Sequence, residues 1–252
     1  MRALALVLFL LGAAPAVAAM PGKSLLDHLA KGLRSTQVGD WVTYRLDGGG
    51  ARVHYWRLAV VGEEKDRLGR DALWVEMEMG THPAMRAPLS QIRMLVARGE
   101  GVAFDAGGVT RLIAAMGFDR PQEYSPEALA QVLAKRPPRP RAAPAGAGPS
   151  APVVRSGQET RLMTPAGTVT AVPLELLYRS TVIKRTWLSR EIPILQLAKI
   201  EIPRIAHALE VVEYGVDAKP RMLLPDAKTP QVRLEYVDKA FPQLPWLEEE
   251  AP

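Results

Sequence analysis

Gly167-Thr168-Val169-Thr170-Ala171-Val172, Leu174-Glu175-Leu176-Leu177-Tyr178-Arg179, Thr186-Trp187-Leu188-Ser189-Arg190-Glu191-Ile192-Pro193, Leu197-Ala198-Lys199-Ile200-Glu201 and Leu209-Glu210-Val211-Val212-Glu213-Tyr214-Gly215 follow one another along the second half of the chain. β-Branched and aromatic residues dominate these runs, and turn residues separate them at short intervals. That is the pattern of consecutive antiparallel strands. Thr168 to Arg179 and Thr181 to Ser189 read as a strand pair about Arg179-Ser180, and Ala208 to Tyr214 as a later strand ended by Gly215. Glu191 to Ile200 is apolar enough for either a strand or a short helix. Val153 to Thr164 precedes them as one more strand, turning at Thr164-Pro165-Ala166-Gly167.

The first half continues the series. Val38 to Leu46 and Val53 to Val61 pair across Asp47-Gly48-Gly49-Gly50, and Gly62 to Gly69 reads as a charged loop. Leu73, Val75, Met77 and Met79 then alternate with Trp74, Glu76 and Glu78, which predicts a strand with one buried and one wet face. Ile92 to Ala97 and Gly101 to Asp105 read as short strands, and Val109 to Met116 is a strand or a helix. Two helices are expected. Ser24 caps one lined by Leu25, Leu26, Leu29 and Leu33. Ser125-Pro126-Glu127 opens the other with a cap, a proline at the first helical position and an early acid. The class is α+β, mainly antiparallel β.

The first 19 residues read as a secretory signal peptide: Arg2, an apolar run from Ala3 to Gly12, and the small-residue exit Ala16-Val17-Ala18. The run is shorter than the ~20 residues that span a bilayer. No other segment matches even that length without charge, so no transmembrane span is expected in the mature chain. There is no cysteine, hence neither a disulfide nor a lipid-attachment site. Residues 20–216 read as one domain. A Pro/Ala-rich stretch at 136–152 interrupts it as an insertion between strands, because a long loop adds closure entropy only slowly. Residues 217–252 form a proline-rich tail.

Chemistry-bearing motifs are scarce. His28, His54, His82 and His207 stand singly, with no HExxH pair and no Cys/His cluster, so neither a metal nor another cofactor is expected. No glycine-rich phosphate loop and no Gly-x-Ser-x-Gly elbow is present. The net charge of +5 falls to about +4 without Arg2, and the one concentrated basic patch, Lys135, Arg136, Arg139 and Arg141, borders or lies within the linker. Nucleic acid is not the expected partner. Glu76 and Glu78 are expected on the wet face of a strand, and neither they nor Glu210/Glu213 are expected to act as a catalytic pair.

The run Trp187-Leu188-Ser189-Arg190-Glu191-Ile192-Pro193-Ile194-Leu195-Gln196-Leu197-Ala198-Lys199, with Gly39-Asp40-Trp41-Val42-Thr43-Tyr44 before it and Glu210-Val211-Val212-Glu213-Tyr214-Gly215 after it, resembles the LolA/LolB-like family of periplasmic lipoprotein carriers. The resemblance implies a strongly curved, incompletely closed antiparallel β-barrel wrapping one or more short helices around an apolar cavity for acyl chains. No ligand-contacting residue of the carriers maps onto this chain. The Pro/Ala linker and the proline-rich tail depart from the carrier pattern.

The leading expectation is an exported, periplasmic, non-enzymatic envelope protein of a Gram-negative cell that binds an apolar ligand such as a lipid or acyl chain. Trp41, Tyr44, Trp56, Trp74, Met77 and Met79 are the candidate wall residues, since aromatic and methionine side chains offer broad, adaptable apolar contact. Each also suits an ordinary core. The alternatives are an envelope adaptor, whose sheet edge or linker docks a protein partner, and a hydrolase whose residues assemble from distant positions.

Overall fold

The computed structural model describes residues 35–48, 53–98, 108–134, 153–205 and 207–225. The leader, the helix expected from Ser24, the strand expected at 101–105, the insertion at 136–152 and the tail from 226 onward lie outside the described residues.

Twelve strands form one antiparallel sheet: β1 (Trp41–Gly48), β2 (His54–Lys65), β3 (Asp71–Gly80), β4 (Ser90–Ala97), β5 (Val109–Met116), β6 (Gln122–Glu123), β7 (Val153–Ser156), β8 (Thr160–Thr164), β9 (Gly167–Tyr178), β10 (Thr181–Leu188), β11 (Leu197–Ile202) and β12 (His207–Gly215). Their order is β6-β5-β4-β3-β2-β1-β12-β11-β10-β9-β7, with β8 also on β9. The sheet is curved and open, because its end strands do not meet. Pairing of β1 with β12 joins the two halves of the chain into a single sheet. Among the described residues a short α-helix, α1 (Pro126–Ala134), lies against β5 and puts Ala128 and Leu129 into the core. Ser125 caps it, its Oγ accepting from the Ala128 amide at 3.2 Å.

The inner face carries the main core. Val42, Tyr44 and Leu46 of β1 meet Trp56, Leu58 and Val60 of β2, then Leu73, Val75 and Met77 of β3 and Ile92, Met94 and Val96 of β4. The period-2 alternation is therefore obeyed. Val109 to Met116 resolves as strand β5, since its residues pair with β4 along their length.

Three expectations are corrected in β2, β3 and the β7–β8 region. β2 runs on to Lys65, through a register shift at Val60/Gly62, so the charged loop is shorter than its composition suggests. Val153 to Thr164 is not one strand. It bends at Gly157-Gln158-Glu159, so that β7 and β8 pair with successive parts of β9. The third correction concerns Glu76 and Glu78, which lie on no wet face: they are 1% and 2% exposed. The segment after β12 returns across the outer face and covers them. Its Arg221 and Met222 amides donate to the Glu76 carboxylate at 2.9 and 3.3 Å, and Met222 packs with Ala59, Val61, Trp74 and Leu95. Gly39 makes this crossing feasible. Its φ is +102°, and a Cβ there would run into the Val216 carbonyl.

Two tight turns shape the far end of the sheet. Arg179 and Ser180 both have positive φ, 47° and 67°, as a two-residue hairpin turn requires. After β10, residues 189–196 form a loop rather than the strand or helix expected there, and β11 begins at Leu197. Within it the Leu195 amide donates to the Pro193 carbonyl at 2.8 Å around Ile194, whose φ is 67°. A positive-φ γ-turn on a β-branched residue is strained. Burial of Ile192, Ile194 and Leu195 against the inner core stabilises it.

Candidate functional site

One transverse row on the inner face defines the site. Leu46, Leu209, Ile200, Thr186, Leu174 and Ser156 face each other across β1, β12, β11, β10, β9 and β7. At ~4.8 Å per strand, the stretch from Leu46 to Leu174 is ~19 Å long. Its burial falls along that length. Leu46, Leu209 and Ile200 are 8%, 0% and 4% exposed, Thr186 and Leu174 are half-buried, and Ser156 is exposed. Val172, Leu188 and Ile202 are half-buried on the same face beside it. Along this row the inner face thus grades from closed core to half-buried and then exposed positions.

The opposite face of the same strands is charged. Asp47, Ala208, Glu201, Arg185, Glu175 and Arg155 form the adjacent outer row. Arg185 and Arg155 donate through Nε to Glu175 at 2.9 and 3.1 Å, and Lys199 reaches Glu201 at 2.8 Å and Glu210 at 3.4 Å. Trp187 lies beneath Arg185 and Lys199, 5.6 Å from each. Hydrogen bonds from Arg155, then Arg185, hold the Glu175 carboxyl below its ordinary value. The far half of the sheet therefore has a solvated back and an apolar front.

The six aromatic and methionine residues singled out in the sequence fall on both faces. Tyr44, Trp56, Met77 and Met79 share the inner face. Tyr44 and Trp56 have ring centroids 6.0 Å apart, and the Tyr44 hydroxyl donates to the Leu197 carbonyl at 3.1 Å. Burial pushes that hydroxyl well above its ordinary pKa. Met79 is half-buried at the margin of this cluster. Trp41 and Trp74 face outward instead. Trp41 donates to Asp217 at 2.8 Å and Trp74 to Glu64 at 3.0 Å, and each ring carries a guanidinium, Arg57 on Trp41 and both Arg93 and Arg111 on Trp74. Trp41 lies three residues from Tyr44 and Trp74 three from Met77, so strand parity already separates them. Leu174, Thr186 and Ile200 were not singled out. Their alternation was legible, but the register that aligns them with Leu46 was not.

Among the described residues, no group of three His, Cys, Asp or Glu side chains is placed to hold a metal ion. No described helix is long and apolar enough to cross a membrane.

The architecture is that of an open, curved antiparallel half-barrel with an apolar inner face. No protein-family model and no curated protein matches the sequence. Among solved structures the chain is similar to MucB, at 15% identity and a TM-score of 0.35, over 81% of this chain and 62% of that one. It is likewise similar to a chain of the Pseudomonas aeruginosa MucA/MucB complex, at 15% identity and TM-score 0.36, over 78% of this chain and 57% of that one. A Bacteroides fragilis protein with a YmcC-like fold matches at 8% identity and TM-score 0.33, over 71% of this chain and 97% of that one. The chain thus spans about three fifths of the MucB structures. Likeness at this level carries neither ligand nor partner across.

Proposed function

We propose that this is an exported, non-enzymatic protein of the cell envelope that binds an apolar ligand, a lipid or acyl chain, on the inner face of its half-barrel. The observation that carries the reading is the inner row itself. Leu174, Val172, Leu188 and Ile202 stay half-buried while the back of the same strands is covered by ion pairs. An apolar surface continuous with a closed core gains free energy, ~25 cal/mol per Å2, when an apolar chain covers it. Tyr44, Trp56, Met77 and Met79 form the closed end of that wall. The leader read in residues 1–19 and the resemblance to LolA/LolB-like carriers support export and ligand class.

The test is native mass spectrometry on protein purified from its own envelope, followed by lipid extraction. Acyl-chain compounds should co-purify with the wild type and be lost from Leu174→Glu, a half-buried position outside the main core cluster. A clean apo mass with no uptake of added fatty acyl ester would sink the reading.

A second reading, an envelope adaptor, is favoured by the edge strand β7, where Val153 and Val154 are 60% and 59% exposed. An extended segment of a partner would add there as a further strand. Val154→Pro should abolish capture of such a partner while leaving lipid uptake unchanged, and equal loss of both would refute the adaptor reading.

A further inference from the structure

A second opening lies on the outer face, away from the apolar wall. It is a cleft of about 420 Å3 between β1, β2, β12 and the returning segment, lined by Trp41, Thr43, Arg57, Glu213, Lys219 and Arg221 among others. Its inner end is Arg57, only 7% exposed.

Arg57 is under-supplied with acceptors. A guanidinium has five N–H donors. Among the described residues the Arg57 side chain uses one of them for a hydrogen bond, from Nη1 to Glu78 at 3.3 Å. The neighbouring carboxylates are committed elsewhere. Glu78 also accepts from Gln91 at 3.0 Å and pairs with Arg221 at 3.4 Å. Glu76 takes the Arg221 and Met222 amides and pairs with Arg93, and Asp217 takes the Trp41 indole. Glu213, exposed at the mouth, accepts no hydrogen bond from Arg57. Burial draws the Arg57 pKa below its ordinary value, Glu78 opposes this, and the like charge of Arg221 adds to it. The remaining Arg57 nitrogens are not sealed in the core, and the side chain lines this cleft, so their donors are available to an acceptor that enters it. Thr43 is the register partner of Arg57, is 1% exposed and lines the same cleft, and its hydroxyl engages no described side chain.

We infer that this cleft binds an oxyanion, a carboxylate or phosphate group, held by the Arg57 guanidinium and the Thr43 hydroxyl above the Trp41 indole, with Lys219 at the entrance. The guanidinium fork matches both oxyanions, and the Trp41 ring, 5.3 Å from its carbon, holds it in orientation. The cleft is larger than the anion alone, so the group is one end of a small molecule. This site does not depend on the apolar wall.

The test is titration of the full chain with inorganic phosphate and with acetate at constant ionic strength, following the Trp41 indole and Arg57 Nε–H resonances. Saturable shifts with either anion, absent with chloride, support the site, and the anion that saturates first names its class. Thr43→Val, which keeps the shape, should weaken binding about tenfold by removing a hydrogen bond to a charged group. Lys219→Gln should weaken it about twofold, in a salt-dependent manner. Arg57→Lys keeps the charge but not the fork and should lose saturation; should that variant fail to fold, Thr43→Val decides. Shifts that are linear, equal with chloride, or unchanged in Thr43→Val overturn the inference.

Discussion

Both halves of the sheet carry glutamates and arginines in transverse rows on the outer face, yet the two rows live in different media. On β2, β3 and β4, Glu76 and Glu78 are covered by the segment that returns after β12, and Arg57 and Arg93 pair with them at 3.3 and 3.5 Å in near-complete burial. On β7, β9, β10 and β11 no described segment comparably shields Arg155, Glu175, Arg185 and Glu201, whose side chains are 16% to 63% exposed. Burial raises the Glu76 carboxyl, whereas Glu175, ringed by two arginines, is lowered. The same residue types thus act as an interior network in one half and as a solvated ladder in the other. Covering, not composition, separates them.

The sharpest way to break this comparison is Glu76→Ala. It strands Arg93 and the Arg221 and Met222 amides without their acceptor, and removing one partner of a buried pair costs about 3–5 kcal/mol. Urea unfolding measures it, and a loss under about 1 kcal/mol would mean the near half is as wet as the far half. Next comes the inner row. Leu209→Ala, in the closed part, should cost about 2–5 kcal/mol. Leu174→Ala, four strands from Leu46 along the same row, should cost only about 1 kcal/mol, since its side chain is half-buried rather than enclosed in the core. Equal losses would erase the gradient.

Gly39→Ala should cost roughly 1–3 kcal/mol through strain at φ +102° and displacement of the Val216 carbonyl. Amide exchange should speed up at residues 216–222 and stay unchanged in β9 and β10. The smallest effect is in pH dependence. For Glu76, whose folded pKa is raised, the stabilising contribution is complete below the ordinary glutamate value of 4.5 and is lost as pH rises through the folded value. Glu175 has a depressed folded pKa, so its contribution is present above 4.5 and is lost as pH falls through the folded value. The stability difference between wild type and Glu76→Gln should therefore change above pH 4.5, and that between wild type and Glu175→Gln below it, with opposite slopes. The Glu175 difference should also shrink with added salt.

Much of this fold was legible. Strands β3, β9, β10 and β12, the turn at Arg179-Ser180 and the cap at Ser125 follow from local alternation and turn chemistry, which act over a few residues. Strand parity also contained the division of Trp41 from Tyr44 and of Trp74 from Met77, although a list of aromatic and methionine residues did not use it. The burial of Glu76 was not legible, because its partner amide lies 145 residues along the chain. Nor was the loop at 189–196, where an apolar run suits a strand until the strained turn at Ile194 places it as a plug.

By itself, the sequence determined that the chain builds antiparallel strands, which residues alternate across each strand, and where turns and the helix begin, since these are set by backbone sterics and by neighbours a few positions away. The tertiary structure decided which face is inside, which register aligns Leu46 with Leu174, and that one row of charges is buried while the other is wet. Those outcomes depend on segments far apart in sequence meeting in space, and no local preference encodes a desolvation that a distant segment imposes.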